Sequence, residues 1–348
     1  MYDLIHQKMI NSSRFCVFAR DYQIAESLLE AIMRHIRRYE HTDFNKKALL
    51  RKKKGRAVYV IFSSYGEREA DLIYDKIKLL RAELSGFLDG IIVSHRRTGI
   101  RMDKTEKKAR EAWEEVEIVI SNSYKVPDMG NEKGKGADMR RALYYLNREK
   151  RGTAVGSDTV IVFLDADVLP EYFGAHFVLA LSGAVMAGND FARASFWREM
   201  GRIKKFLVQP LLSVIDHPCL GRLTEFHYPL AGEAAGTLKF FNSVGFWQRY
   251  GVETGINMEL CRGDYKMADV NLGRYDHQHH SDLDIQKMAF GIIRTYLIQL
   301  YDYGIVRFSD GARISDIFRV SFIDERGRRQ SRKFNLREKK YQPLKNML

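Results

Sequence analysis

The chain has 348 residues, enough for one large domain or a domain with an added lobe, and its 45% hydrophobic and 29% charged residues exclude wholesale disorder. Lys plus Arg number 57 against 44 Asp plus Glu, a net charge of +13, and residues 37–56 and 325–348 each carry nine basic and two acidic residues, which accounts for the whole excess. Three cysteines (Cys16, Cys219, Cys261) form no disulfide framework, and the longest apolar stretch, residues 172–188, is broken by His176 and falls short of the ~20 residues of a membrane span. A reducing, cytoplasmic setting is expected.

In chain order, apolar Ile24, Leu28, Leu29, Ile32 and Ile36 have helical spacing over residues 21–39. The basic stretch after them, with RKKKGR at 51–56, reads as a linker, so residues 1–56 form a helical extension. The β-branched run AVYVIF (57–62) predicts a buried strand, and Ala70, Ile73, Ile77 and Leu80 a helix. GIIV (90–93), VEIVI (116–120) and TVIVFL (159–164) predict further strands, with helices over 104–115 and 137–148. Short apolar strands alternating with helices indicate a doubly covered, mostly parallel α/β sheet, whose ligands bind beyond the carboxyl ends of its strands. An apolar helix near 173–187, Gly-rich loops from 221 to 255 and an amphipathic helix at 284–303 follow. The predicted division is 57–170 for one binding half, 171–305 for a second and 306–348 for a basic tail.

The fourth strand ends in Asp165-Ala166-Asp167, a pair of carboxylates suited to Mg²⁺ or Mn²⁺. The alternative is a helix cap beside a solvated charge. NEKGKGADMRRAL (131–143) sets Lys135 between glycines at a helix start, a place for phosphate or an ordinary charged loop. YDHQHHSD (275–282) supplies His277, His279 and His280, with no second His/Cys cluster for a structural zinc. One of these histidines completing a carboxylate shell fits better than zinc. PLAGEAAG (229–236) and RYGVETG (249–255) each combine glycines with one acid.

In the order GKG–helix, strand–DxD, PLAGE, YGVE, NLGxxxH, these motifs resemble the retaining glucosyl-3-phosphoglycerate and mannosyl-3-phosphoglycerate synthases over residues 57 to 300. The resemblance implies a GT-A fold, Rossmann-like with a smaller acceptor-binding subdomain. It also implies a metal-dependent hexosyltransferase with a nucleotide-sugar donor, UDP-glucose favoured, and a small phosphorylated or carboxylated acceptor. It assigns Asp167 and His277 to the cation, Asp165 to the ribose or donor sugar, Lys135 to the phosphates and Glu67 to the nucleotide. The Leu230 carbonyl and Glu253 would face the transferred sugar. Arg202, preferred to Arg222 of GRLTE (221–225), would anchor the acceptor beside Lys204, Glu233, Tyr250 and His279. Lys204 and His279 stand where the family has threonine and asparagine, which keeps the acceptor end cationic. A homodimer is the family expectation. Two alternatives stay open: the same fold acting on a glycan or lipid-linked acceptor, and a nucleic-acid binder using the two basic segments.

Overall fold

Eight strands alternate their side chains between two apolar layers, and that alternation builds the domain. A computed structural model describes residues 36–198, 201–277 and 281–348, with residues 36–348 forming one unit. The strands are β1 (Arg37–Glu40), β2 (Val58–Tyr65), β3 (Gly90–Arg96), β4 (Glu117–Ile120), β5 (Val160–Asp165), β6 (Phe191–Trp197), β7 (Ala234–Thr237), β8 (Phe246–Trp247), β9 (Met267–Arg274), β10 (Ile317–Ile323), β11 (Arg329–Asn335) and β12 (Lys340–Tyr341). The main sheet runs β1-β9-β6-β7-β5-β2-β3-β4, and only β7 is antiparallel to its neighbours.

Along β2, Tyr59 and Ile61 join Phe163 and Leu143 in one layer, while Val58, Val60 and Phe62 join Val93 and Val162 in the other. Burial on both faces is why these strands read as unbroken apolar runs. The four predicted strands are present within a few residues, as are the helices Ala70–Glu83, Lys104–Ala112, Lys135–Glu149, Ala175–Met186 and Asp282–Asp302.

The structure corrects three expectations. Residues 37–40, the end of the predicted N-terminal helix, form β1 parallel to β9, and residues 46–53 of the supposed linker form a helix capped by Asn45; residues 1–35 lie outside the described residues. The Gly-rich region 221–255 holds the end of the helix Pro218–Leu223, β7, the helix Leu238–Ser243, β8 and the start of the helix Gly251–Arg262. The basic tail is also built in. β10 and β11 form an exposed antiparallel hairpin, β12 pairs with β8, and Tyr341 and Leu344 enter the core. Cys219 and Cys261 meet as a disulfide, with Cα atoms 5.0 Å apart, tying the helix Pro218–Leu223 to Gly251–Arg262. This bridge stands against the reducing setting expected from the cysteine count.

Candidate active site

β5 ends at Asp165, and the two residues after it carry the second carboxylate, Asp167, into a cleft of about 680 Å³ over the sheet's carboxyl edge. The turn is held from below. Lys76, on the helix Ala70–Glu83 and 2% exposed, donates to the carbonyls of Ala166 (3.0 Å) and Val168 (2.7 Å). Burial lowers the Lys76 pKa to about 8 against the pull of Asp167.

Val168 forms an antiparallel bridge with His277, and Leu169 N–H donates to Asp276 O at 3.1 Å. Residues more than a hundred positions apart thus stand side by side. Burial first, then the Asp165 charge, raises the Asp167 pKa, while His277 and Lys135 oppose the shift. Half-buried carboxylates near an imidazole are the kinds of donor that Mg²⁺ or Mn²⁺ accepts, and added positive charge would relieve the repulsion between the acids.

Lys135 is the first residue of the helix Lys135–Glu149, and its ammonium pairs with Asp165 Oδ1 and, at 2.9 Å, with Glu253 Oε1. Burial works against that charge, but Asp165, Glu253 and Glu233 outweigh it and raise the lysine's pKa. Two glycines make the arrangement possible. A Cβ on Gly136 would lie 1.8 Å from Trp247 O, and one on Gly232 would lie 2.1 Å from Lys135 Nζ and 2.2 Å from Asp165 Oδ2.

Glu253 sits in the first turn of the helix Gly251–Arg262, whose leading amides are taken by Glu338 (Gly251 N–H 3.0 Å, Arg249 N–H 3.3 Å). Leu230 lines the cleft, its turn fixed on both sides as Asn257 donates to Pro229 O (2.7 Å) and Arg193 to Ala231 O (2.6 Å).

Arg202, Lys204 and Tyr250 also line the cleft; Arg202 pairs with Asp282, and Lys204 stands 5.1 Å over the Tyr228 ring. Arg222 is elsewhere, donating to Tyr265 O at 3.4 Å.

Three expected residues fall differently. Glu67 is absent from the cleft lining; its carboxylate accepts from the Lys104 amide at 2.8 Å. Glu69, which the sequence reading missed, lines the cleft instead, and burial together with the Asp167 charge raises its pKa to about 7. Glu233 is 1% exposed and lies behind the cleft, where the Tyr275 hydroxyl donates to Oε1 at 2.8 Å. Burial and Asp165 push its pKa up to about 8. His279 lies outside the described residues.

Ser64 and Tyr65 at the end of β2, Arg96 at the end of β3 and Asp138 also line the cleft. Ser64 Oγ meets His95 Nδ1 at 2.9 Å, and His95 Nε2 meets Asp103 Oδ2 at 2.7 Å. His95, Asp103 and Glu106 come close enough to hold a metal, but Asp103 caps the helix Lys104–Ala112 and Glu106 accepts from Nε and Nη2 of Arg97. That cluster is structural.

A doubly covered, mostly parallel sheet with paired acids at a strand end, a lysine facing them and a cationic recess beside them fits a glycosyltransferase of the GT-A fold, the class of the proteins to which this chain is similar. No family model matches the chain. It is similar to the glucosyl-3-phosphoglycerate synthases of Petrotoga mobilis (26% identical over 287 residues, 77% of this chain and 82% of that protein) and Mycolicibacterium paratuberculosis (27% over 263 residues, 70% and 73%). In fold it is similar to mannosyl-3-phosphoglycerate synthase from Rubrobacter xylanophilus (TM-score 0.75, 23% identity, 90% and 96% of the two chains). It is likewise similar to the Mycobacterium tuberculosis glucosyl-3-phosphoglycerate synthase, solved with Mn²⁺, UDP and phosphoglyceric acid (TM-score 0.70, 22% identity, 88% and 96%). Sequence and fold comparisons thus agree in the chain's similarity to the glucosyl-3-phosphoglycerate synthases.

Proposed function

We propose that this chain is a metal-dependent, retaining transferase that moves glucose from UDP-glucose to 3-phosphoglycerate or a closely similar small anion. The observation that carries this reading is the convergence of Asp165, Asp167, Lys135 and Glu253 with the His277 loop at one edge of the cleft, with Arg202 and Lys204 lining the same cleft. The relatives' substrates and ions supply the names. Asp167 and His277 would hold the Mg²⁺ or Mn²⁺, and Glu69 stands near enough to Asp167 to feel its charge. The cation, when bound, neutralises charge on the departing diphosphate.

The chain's own residues then have distinct tasks. Lys135 supplies a fixed positive charge to the donor's phosphates, released from Asp165 and Glu253 as phosphate oxygens replace those carboxylates. Asp165 and Glu253 become free to accept hydroxyl hydrogen bonds from the ribose and the sugar, with the Leu230 turn as a wall. Arg202, paired with Asp282 on the surface side, and Lys204 take the acceptor's anionic groups.

In the transfer, the bond from the anomeric carbon to the β-phosphate oxygen breaks with its electrons on that oxygen. The acceptor hydroxyl oxygen bonds the same carbon, and its proton passes to the departing phosphate. This accounts for retention without a protein nucleophile, with Asp165 and Glu253 holding hydroxyl groups of the donor rather than attacking its anomeric carbon. The test is transfer of labelled glucose from UDP-glucose to 3-phosphoglycerate with Mn²⁺, read together with the anomeric configuration of the product. Asp167→Ala should lose at least about 100-fold in turnover while remaining folded, the scale of deleting a charged group that acts on the transition state. Full activity in that variant contradicts the assignment.

A further inference from the structure

Arg198 directly follows β6, lines the cleft, and keeps only 10% of its side chain exposed. One arm donates to His277 Nε2 at 2.8 Å, the other pairs with Asp276 Oδ1 at 3.3 Å, and the Tyr228 hydroxyl bonds it as well.

A guanidinium has N–H donors and no acceptor, so the ring nitrogen it meets must be the acceptor. In a neutral imidazole the other nitrogen then carries the proton, and the ring has no second lone pair to offer. The conclusion is the same whichever ring nitrogen faces the arginine. His277 therefore accepts from Arg198 or ligates a cation; it does not do both.

We propose that Arg198 is a further acceptor-binding residue, one that exchanges the His277 nitrogen for the acceptor's carboxylate or phosphate when the divalent cation takes that nitrogen. This rests on the function proposed above. Two observations direct the arginine toward the acceptor. It lines the same cleft as Gly201, Arg202 and Lys204, just before them in the chain. Its planar fork also matches a carboxylate or phosphate with two parallel bonds. A cation bound at His277 repels the adjacent guanidinium, and an anion in the recess attracts it. The same displacement serves both ligands, so metal and acceptor bind with positive coupling, each strengthening the other by one factor.

Mn²⁺ titration of the full chain, followed by the electron paramagnetic resonance of free Mn²⁺ with and without 3-phosphoglycerate, tests this on wild type, Arg198→Met and Arg198→Lys. Removing the competitor should tighten Mn²⁺ binding by about 3- to 10-fold in Arg198→Met and abolish the effect of 3-phosphoglycerate on it, a coupling loss within the usual range. The same variant should raise the acceptor KM about tenfold or more and leave the donor KM within about twofold, as expected for loss of one charge-assisted contact. A purely structural role moves neither Mn²⁺ affinity nor the coupling.

Unchanged or weaker Mn²⁺ binding in folded Arg198→Met, or coupling that survives, overturns the proposal. Should the Met variant fail to fold, Arg198→Lys decides the point: reduced coupling supports the exchange, and wild-type coupling overturns it. Asp167→Ala, run in parallel, separates the two layers. Loss of Mn²⁺ binding there keeps the metal reading whatever Arg198 does, and retention of binding removes the metal reading itself.

Discussion

Glu67 and Glu69 differ by two positions, yet the structure turns one onto the Lys104 amide and the other into the cleft. Residue types and order locate the carboxylates; the tight turn after β2 decides which of them faces the ligand, and that geometry is not written in the letters. The same holds for Lys76 and Arg198. Each lies far in sequence from the groups it touches, so no local motif marks it. In contrast, Lys135 and Asp165 stand at a helix start and a strand end, where local pattern singles them out, whereas Leu230 and Glu253 are singled out only by the family resemblance; all four line the cleft. Glu233 was legible as an acid in a Gly-rich turn, but its burial was not.

That burial makes a prediction. Glu233 has a folded pKa of about 8 against an ordinary value of 4.5. Between those values the folded chain holds a proton that the unfolded chain has lost, so this group's contribution to stability is full below about 4.5 and falls as pH rises through about 8. Glu233→Gln removes the dependence. The variant should unfold near the wild-type urea midpoint at pH 5 and be more stable than wild type by at least about 1 kcal/mol at pH 9. A stability difference independent of pH contradicts a protonated, buried Glu233.

At the scale of elements, strands whose faces are wholly apolar were readable, and β6 and β9 were not. Their interiors contain Arg193, Ser195 and Asp269, which break the apolar run. Each is satisfied inside. Arg193 donates to Ala231 O and, at 2.8 Å, to Asn257 Oδ1, and Ser195 donates to Asp269. Polar groups with fixed partners tolerate burial that a pattern of hydrophobicity excludes.

The helix Gly251–Arg262 shows how such partners reach the site. It carries no capping side chain of its own, and Glu338 from the C-terminal segment takes the Gly251 and Arg249 amides. Glu338→Ala leaves two amides without that partner and should lower stability by about 1–3 kcal/mol. Because Glu253 rides on the first turn of this helix, kcat should fall with it. Loss of stability in urea with unchanged kcat in the folded protein contradicts the link.

The whole molecule carries +13, and its two basic segments are not equivalent. Residues 37–56 are woven into the sheet and the helix Lys46–Lys53, where Lys53 pairs with Asp89 at 2.6 Å. In the C-terminal segment the exposed hairpin of β10 and β11 is peripheral, whereas residues 336–348 supply Glu338, β12 and core positions Leu336, Tyr341 and Leu344. Charge alone suggested one solvated tail, because composition does not distinguish an outward arm from a strand that closes a layer. Shortening the hairpin tip over residues 322–330 should leave transferase turnover within about twofold, since it removes exposed surface and few buried contacts. Deleting 336–348 should abolish soluble, active enzyme. Large loss of turnover from the tip deletion would indicate that the arm itself serves the site.

The most direct test of the account is the location of the cation. A crystal grown with Mn²⁺ and UDP, measured at the manganese absorption edge, should show one anomalous peak within roughly 2.5 Å of both an Asp167 oxygen and a His277 ring nitrogen, the reach of a directly coordinated ion. A peak at His95, Asp103 and Glu106, or none in the cleft with UDP bound, contradicts it.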